Sequence, residues 1–174
     1  MANHSSFLDI AALLVADDAV IFVAGADLYR IPLLAGAMRA LGTVPIDRRS
    51  GGGVHLALPE TTVPDGLRLV VFPEGGISPA GQRRSFRRSA FALAIECGAT
   101  VVPIAIHGSA AVMSRRDKLA LRPGRITVEF LRAIPTDGMT MDDRHALTAT
   151  AECRIYKALY PCDGGELLVT DRAA

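Results

Sequence analysis

The chain has 174 residues, half of them hydrophobic, and a formal net charge of +1. At this length one domain with a single substantial core is expected. The apolar-rich, charge-balanced composition excludes a disordered chain and one that seeks polyanions over its whole surface.

In chain order, Ser5 or Ser6 can cap a helix running through Phe7 to Leu14, ended by a turn at Asp17-Asp18. Ala19 to Ala24 is a short apolar run that reads as a buried strand. Ile31, Leu34, Met38 and Leu41 recur at helical spacing, which predicts a helix over Asp27 to Leu41 with Gly42 as its stop. Thr43 to Ile46 is a strand, Ser50 to Gly53 a glycine-rich loop, and Pro59 and Pro64 keep the weak helix that follows short. Leu67 to Phe72 is a strand. Ser85 is placed to cap a helix that extends through Cys97 to Gly98, and Thr100 to Ile106 is the next strand. Arg125 to Leu131 alternates like an edge strand, Met141 to Leu159 is an amphipathic helix, and the tail from 161 to 174 is irregular.

Strands alternating with helices predict an α/β domain over residues 1–160, with a mostly parallel central sheet flanked by helices. Sites in such sheets gather at the carboxyl ends of the strands.

Other features narrow the class. No Trp and few aromatics leave little to stack nucleic-acid bases, so no nucleic-acid partner is expected. Cys97, Cys153 and Cys162 are odd in number and form no CxxC or Cys/His ligand pattern, which predicts reduced, mostly buried thiols, a cytoplasmic chain and no bound metal. Met1 to Asp9 lacks the basic start and apolar run of a signal peptide. The most apolar region, Ile10 to Val23, is broken by Asp17-Asp18, short of the roughly 18 apolar residues a spanning helix needs. Residues 83–132 carry ten basic and three acidic side chains, between two segments that are net acidic. Arg83, Arg84, Arg87 and Arg88 crowd a predicted helix start, where positive charge opposes the helix dipole and so points to an anionic partner.

Two clusters carry chemistry. In Asn3-His4-Ser5-Ser6-Phe7-Leu8-Asp9, the histidine and aspartate are five apart. On a regular helix they would diverge by about 140°, so they meet only if His4 precedes the helix that carries Asp9. Asp9 then orients one imidazole nitrogen and leaves the other to take a proton from a hydroxyl. In Phe72-Pro73-Glu74-Gly75-Gly76-Ile77-Ser78, a carboxylate and two glycines follow a strand end, which suits close approach of main chain to a ligand. Between them, Val44-Pro45-Ile46-Asp47-Arg48-Arg49 sets two guanidiniums at another strand end, suited to an anion such as phosphate.

The ordered blocks NHxxxxD, VPIDR, FPEG and Val101-Val102-Pro103-Ile104-Ala105-Ile106 resemble the lysophospholipid acyltransferase superfamily, which includes the 1-acylglycerol-3-phosphate O-acyltransferases. The resemblance covers residues 3–132. It implies transfer of an acyl group from acyl-CoA or acyl carrier protein to a hydroxyl of a lysophospholipid-like acceptor, at the inner face of a membrane that the protein touches peripherally. No cofactor is implied, because the thioester is a substrate. By the same resemblance His4 is the general base and Asp9 its orienting carboxylate. Asn3, Ser6, Phe7 and Phe72 shape the pocket, Arg48 holds the acceptor's phosphate, Glu74, Gly75 and Gly76 position its glycerol, and Pro103 lines the acyl side.

The third block departs from the family's usual FPEGTRS, because Ile77 stands where an arginine would help bind phosphate. Arg48, Arg49 or Arg83 could substitute. The family's strand leading into the first block is reduced here to Met1-Ala2. Either the domain tolerates an unsupported His4, or Met1 is an internal methionine of a longer protein; the second is favoured because a catalytic base needs packed support. A different enzyme class, a hydrolase with Ser78 as nucleophile and His107 or His4 as base, and a lipid-binding remnant without activity are the alternatives.

Overall fold

The computed structural model describes residues 1–46, 66–79, 82–113 and 120–161. Arg48, Arg49, the predicted loop and weak helix after them, the Arg115-Arg116-Lys118 run and the tail beyond Pro161 lie outside the described residues.

Among the described residues the elements are α1 (Leu8–Ala16), β1 (Val20–Gly25), α2 (Pro32–Ala40), β2 (Val44–Ile46), β3 (Arg68–Val70), α3 (Ser89–Glu96), β4 (Ile104–His107), α4 (Ser109–Val112), β5 (Thr127–Phe130) and α5 (Arg144–Leu159), of which the short α4 is not expected from the sequence. The strands form a parallel set ordered β2-β1-β3, and an antiparallel pair of β4 with β5. Val23 pairs with Val44, and Val20 with Arg68.

Met1 and Ala2 join the two sets. The Ala2 N–H donates to the Val71 carbonyl at 3.1 Å, and the Ile104 N–H donates to the Met1 carbonyl at 2.8 Å. Two residues thus act as the strand between β3 and β4. Ala2 is completely buried. The α-amino group of Met1 donates to the Val102 carbonyl at 2.9 Å, and its enclosure lowers its pKa to about 5. An apolar cavity of about 720 Å³ is lined by residues that include Met1, Leu13, Val70, Leu93, Val101 and Ile104.

Side chains alternate across this sheet, as strand geometry requires. Val70 and Ile104 join Leu13, Phe22 and Ile106 under α1, whereas Val71 and Val101 join Phe91, Ala151 and Ile155 under α3 and α5. Helices therefore cover both faces, and the segments that carry His4 and Glu74 leave from the carboxyl ends of Met1-Ala2 and β3.

Three boundaries differ from expectation. Residues 26–30 form a 3-10 turn and α2 begins at Pro32, because proline fits the first helical position but not a helix interior. Ser85 does not cap α3; residues 83–87 lie outside any helix, with the Arg87 N–H donating to the Pro73 carbonyl at 2.9 Å, and the helix starts at Ser89. Pro103 interrupts the predicted strand over Thr100 to Ile106, leaving Val101 as an isolated bridge to Ile134 and β4 beginning at Ile104. The last helix matches: a capping box of Thr140 and Asp143 opens a 3-10 turn that leads into α5. The cysteines do not: Cys97, at the end of α3, and Cys153, off the buried face of α5, are both exposed rather than buried.

Candidate active site

Chain direction creates the site. The main chain leaves the sheet at Ala2, turns through His4-Ser5-Ser6 and enters α1, so His4 precedes the helix and Asp9 lies in its first turn. The imidazole Nδ1 lies 2.9 Å from Asp9 Oδ2. That oxygen also accepts the N–H groups of Ser5 at 2.7 Å and Ser6 at 2.8 Å. The carboxylate is sealed from solvent, and the N-terminal end of a helix is where a buried negative charge is best tolerated. With Asp9 acting only as acceptor, hydrogen bonding assigns the imidazole proton to Nδ1 and leaves the Nε2 lone pair available. The His4 ring stacks on Phe72 (centroids 4.1 Å apart, 20° between planes), and Phe72 stacks on Phe22. Its side chain is 12% exposed, so the base opens on solvent through a narrow window.

The main chain of His4 is clamped from the second cluster. Its N–H donates to Glu74 Oε1 at 3.0 Å, and its carbonyl accepts the Ser78 N–H at 2.7 Å. The Ser78 hydroxyl donates to Glu74 Oε2, closing the ring of contacts. On the other side, Ser5 Oγ meets Ser109 Oγ at 2.9 Å and Ser6 Oγ donates to the Met113 carbonyl at 2.7 Å. Burial, the largest effect, raises the Glu74 pKa to about 8; the His4 N–H and Arg84 oppose this, and Asp9 and Glu152 add to it. Glu74 is therefore mostly protonated at neutral pH.

Other residues singled out from the sequence are placed as follows. The Asn3 side chain pairs with both main-chain groups of Ile106, at 3.0 and 2.7 Å, in the manner of a strand residue. Ser6 is buried and Phe7 is 45% exposed beside the His4 turn. Gly75 has φ +73°, a conformation side chains disfavour. Gly76 follows it in the turn. Pro103 is buried within the sheet, its carbonyl accepting the Leu131 N–H at 2.9 Å. A cavity of about 190 Å³ lies beside the clamp, lined by residues that include Asn3, Ser5, Glu74, Ser78, His107 and Tyr156.

The hydrolase alternative loses its geometry here. Ser78 is buried with its hydroxyl on Glu74, His4 Nδ1 is on Asp9, and His107 Nε2 lies 3.2 Å from Glu129 across β4 and β5. Sequence reading missed the clamping role of Ser78 and the part played by Tyr156. The Tyr156 hydroxyl accepts the Arg84 N–H at 3.1 Å and donates to the Arg84 carbonyl at 2.8 Å. The four-residue spacing of Glu74 and Ser78 within one block was the available signal. Among the described residues, no group of three or more His, Cys, Asp or Glu side chains is placed to hold a metal ion, and no helix is long and apolar enough to cross a membrane.

Fold and site together define an α/β domain with a histidine–aspartate pair presented at the carboxyl ends of its strands. The acyltransferase family profile matches residues 1–107. A 1-acyl-sn-glycerol-3-phosphate acyltransferase of Chlamydomonas reinhardtii is 31% identical over 137 residues, 78% of this chain and 41% of that protein. The mouse 1-acyl-sn-glycerol-3-phosphate acyltransferase alpha is 30% identical over 151 residues, 84% of this chain and 53% of that protein. The chain belongs to the acyltransferase family. It spans about half or less of the length of these two relatives. The crystal structure of the 1-acyl-sn-glycerophosphate acyltransferase PlsC from Thermotoga maritima shares the fold, with a TM-score of 0.73 and 24% identity over 95% of this chain and 66% of that one.

Glu74 has a signature in stability. The folded chain holds its proton to pH about 8, the unfolded chain only to about 4.5. Its contribution is therefore undiminished below about pH 4.5 and is lost as pH rises through 8. The Met1 amino group acts in the opposite sense, since its folded pKa of about 5 lies below its ordinary 8.0. Comparing Glu74→Gln with the parent chain at each pH isolates Glu74. Urea unfolding is expected to show the variant gaining on the parent by on the order of 3 kcal/mol between pH 5 and pH 9; a constant difference contradicts the assignment.

Proposed function

We propose that this chain is an O-acyltransferase that moves a fatty acyl group from a thioester, acyl-CoA or acyl carrier protein, to a hydroxyl of a lysophospholipid-like acceptor of the 1-acylglycerol-3-phosphate class. One observation carries the reading: His4 is fixed by a buried carboxylate through Nδ1 with Nε2 left open. In this mechanism Nε2 takes the acceptor's hydroxyl proton as its oxygen attacks the thioester carbonyl. Asp9 stabilises the resulting imidazolium. The tetrahedral intermediate then expels the thiolate, which recovers the proton from His4, leaving an ester and a free thiol. The clamp by Glu74 and Ser78 holds the base at the geometry that proton transfer requires. The names of the relatives support the acceptor class.

The place of action is a membrane surface, at its cytoplasmic face. Phe7, Ala11 and Val15 follow one another at intervals of four along the outer side of α1, all exposed, with Val15 at 89%. An apolar stripe on a helix beside the His4 turn suits insertion among lipid chains at the interface.

Two measurements test this. With radiolabelled palmitoyl-CoA or palmitoyl carrier protein and a panel of lyso-acceptors, His4→Ala is expected to lower transfer about 10²- to 10⁴-fold, while Ser78→Ala retains histidine-dependent turnover. Loss of activity in Ser78→Ala with retention in His4→Ala sinks the reading, and so does lipid binding without turnover. In vesicle co-sedimentation, Val15→Asp is expected to weaken partitioning about tenfold while transfer to a detergent-dispersed acceptor is kept. Unchanged partitioning removes α1 from the membrane contact.

A further inference from the structure

We propose that the guanidinium groups of Arg84 and Arg87, laid against the Gly75–Gly76 turn, form the seat for the phosphate monoester of the acceptor. The inference rests on the acyl-transfer reading and names the group that recognises its substrate. Neither arginine lies in the four sequence blocks.

The turn is shaped for guanidiniums. A Cβ built at Gly75 would lie 2.7 Å from Arg87 Cζ and 3.0 Å from its Nη2, and one at Gly76 would lie 3.6 Å from Arg84 Nη1. Any side chain at Gly75 would displace Arg87, and its φ of +73° disfavours one independently. The two charges are thus brought against the same bare turn from a segment several residues downstream. Ile77, within that turn's own block, supplies no charge.

The main chain that carries them is fixed. Tyr156 binds both main-chain groups of Arg84, and the Arg87 N–H is held by the Pro73 carbonyl. Their neighbours in the basic block are committed elsewhere. Arg83 stacks over Tyr156 and Tyr160, at 4.7 and 5.2 Å from the ring centroids, and Arg88 Nη1 approaches His145 at 3.1 Å. Among the described residues, neither Arg84 nor Arg87 forms a salt bridge with a carboxylate. Glu74 faces the His4 peptide and Ser78, and it is mostly neutral at pH 7. Two planar, multiply donating cations against one turn, neither in a salt bridge among the described residues, match a phosphate dianion better than a carboxylate or a neutral hydroxyl. Because Glu74 in this turn is bonded to the His4 peptide, a phosphate seated here is tied to the base that must reach the acceptor's hydroxyl.

The same chemistry could recognise a phosphate of the thioester donor, so the test separates the two. Steady-state kinetics of Arg84→Gln, Arg87→Gln and the double variant are compared on 1-acylglycerol-3-phosphate and on 1-acylglycerol, with Arg88→Gln as a charge-matched control. Each single change is expected to raise KM for the phosphorylated acceptor about tenfold, with kcat held within about twofold. KM for the unphosphorylated acceptor, KM for the donor and the Arg88→Gln control stay put. An unchanged KM, an equal rise for both acceptors, or a rise confined to the donor overturns the proposal. A second readout does not need turnover. Inorganic phosphate titrated into the parent chain is expected to shift the amide resonances of Gly75 and Gly76, and to leave them in place in the double variant. If no acceptor is acylated by the parent chain, the acyl-transfer reading fails. The phosphate titration still decides the seat, because shifts lost in the double variant support it and shifts absent from the parent chain overturn it.

Discussion

The carboxylate of Asp9 is the contact on which the site depends. One of its oxygens gathers the His4 ring and the N–H groups of Ser5 and Ser6, so a single buried charge sets both the imidazole's orientation and the turn that carries it. Asp9 Oδ1 is buried without a partner among the described residues, so the interaction is concentrated on Oδ2. A charge this enclosed is stable only where donors converge on it, and the first turn of α1 provides them. Removing the carboxylate would leave those main-chain donors unmet as well as releasing the ring.

The second requirement is that the His4 peptide itself should not move. Glu74 and Ser78 hold its two sides, and the loop carrying Ser109 and Met113 braces the following serines. These contacts come from strands on either side of Met1-Ala2, which is why the continuity of the sheet through those two residues matters to chemistry beyond it. The FPEG block then has two functions. Its glutamate faces inward to the catalytic peptide, while its glycines leave room for arginines arriving from residues 84 and 87.

Much of this was legible in the sequence. Alternating apolar runs and helical spacings gave the α/β class, and the order of four blocks gave the family, because both signals are carried by local pattern. The need for His4 to precede its helix followed from rotation per residue alone. What local pattern could not carry was the partner of each polar group. Asn3 reads as a pocket residue and does line the cavity, but its partner Ile106 lies 103 positions away. Ser78 reads as a nucleophile but is held on Glu74. Ser85 has the chemistry of a cap, yet Tyr156 and Pro73 hold the main chain of Arg84 and Arg87 and the helix begins later. Pro32 was the local signal for the divided second helix, and its effect was hidden by the apolar spacing around it. Met1-Ala2 is too short to read as a strand, and its hydrogen bonds to Val71 and Ile104 join residues too far apart for local pattern to show.

The central claim is that Asp9 holds His4 with its proton on Nδ1, leaving Nε2 as the base. Long-range ¹H–¹⁵N correlation of the imidazole ring, recorded near neutral pH on the parent chain and on Asp9→Asn, tests it most directly. The account predicts the Nδ1–H tautomer, with an unprotonated Nε2, in the parent chain and its loss in the variant. A dominant Nε2–H tautomer in the parent chain, or a spectrum unchanged by Asp9→Asn, would contradict it.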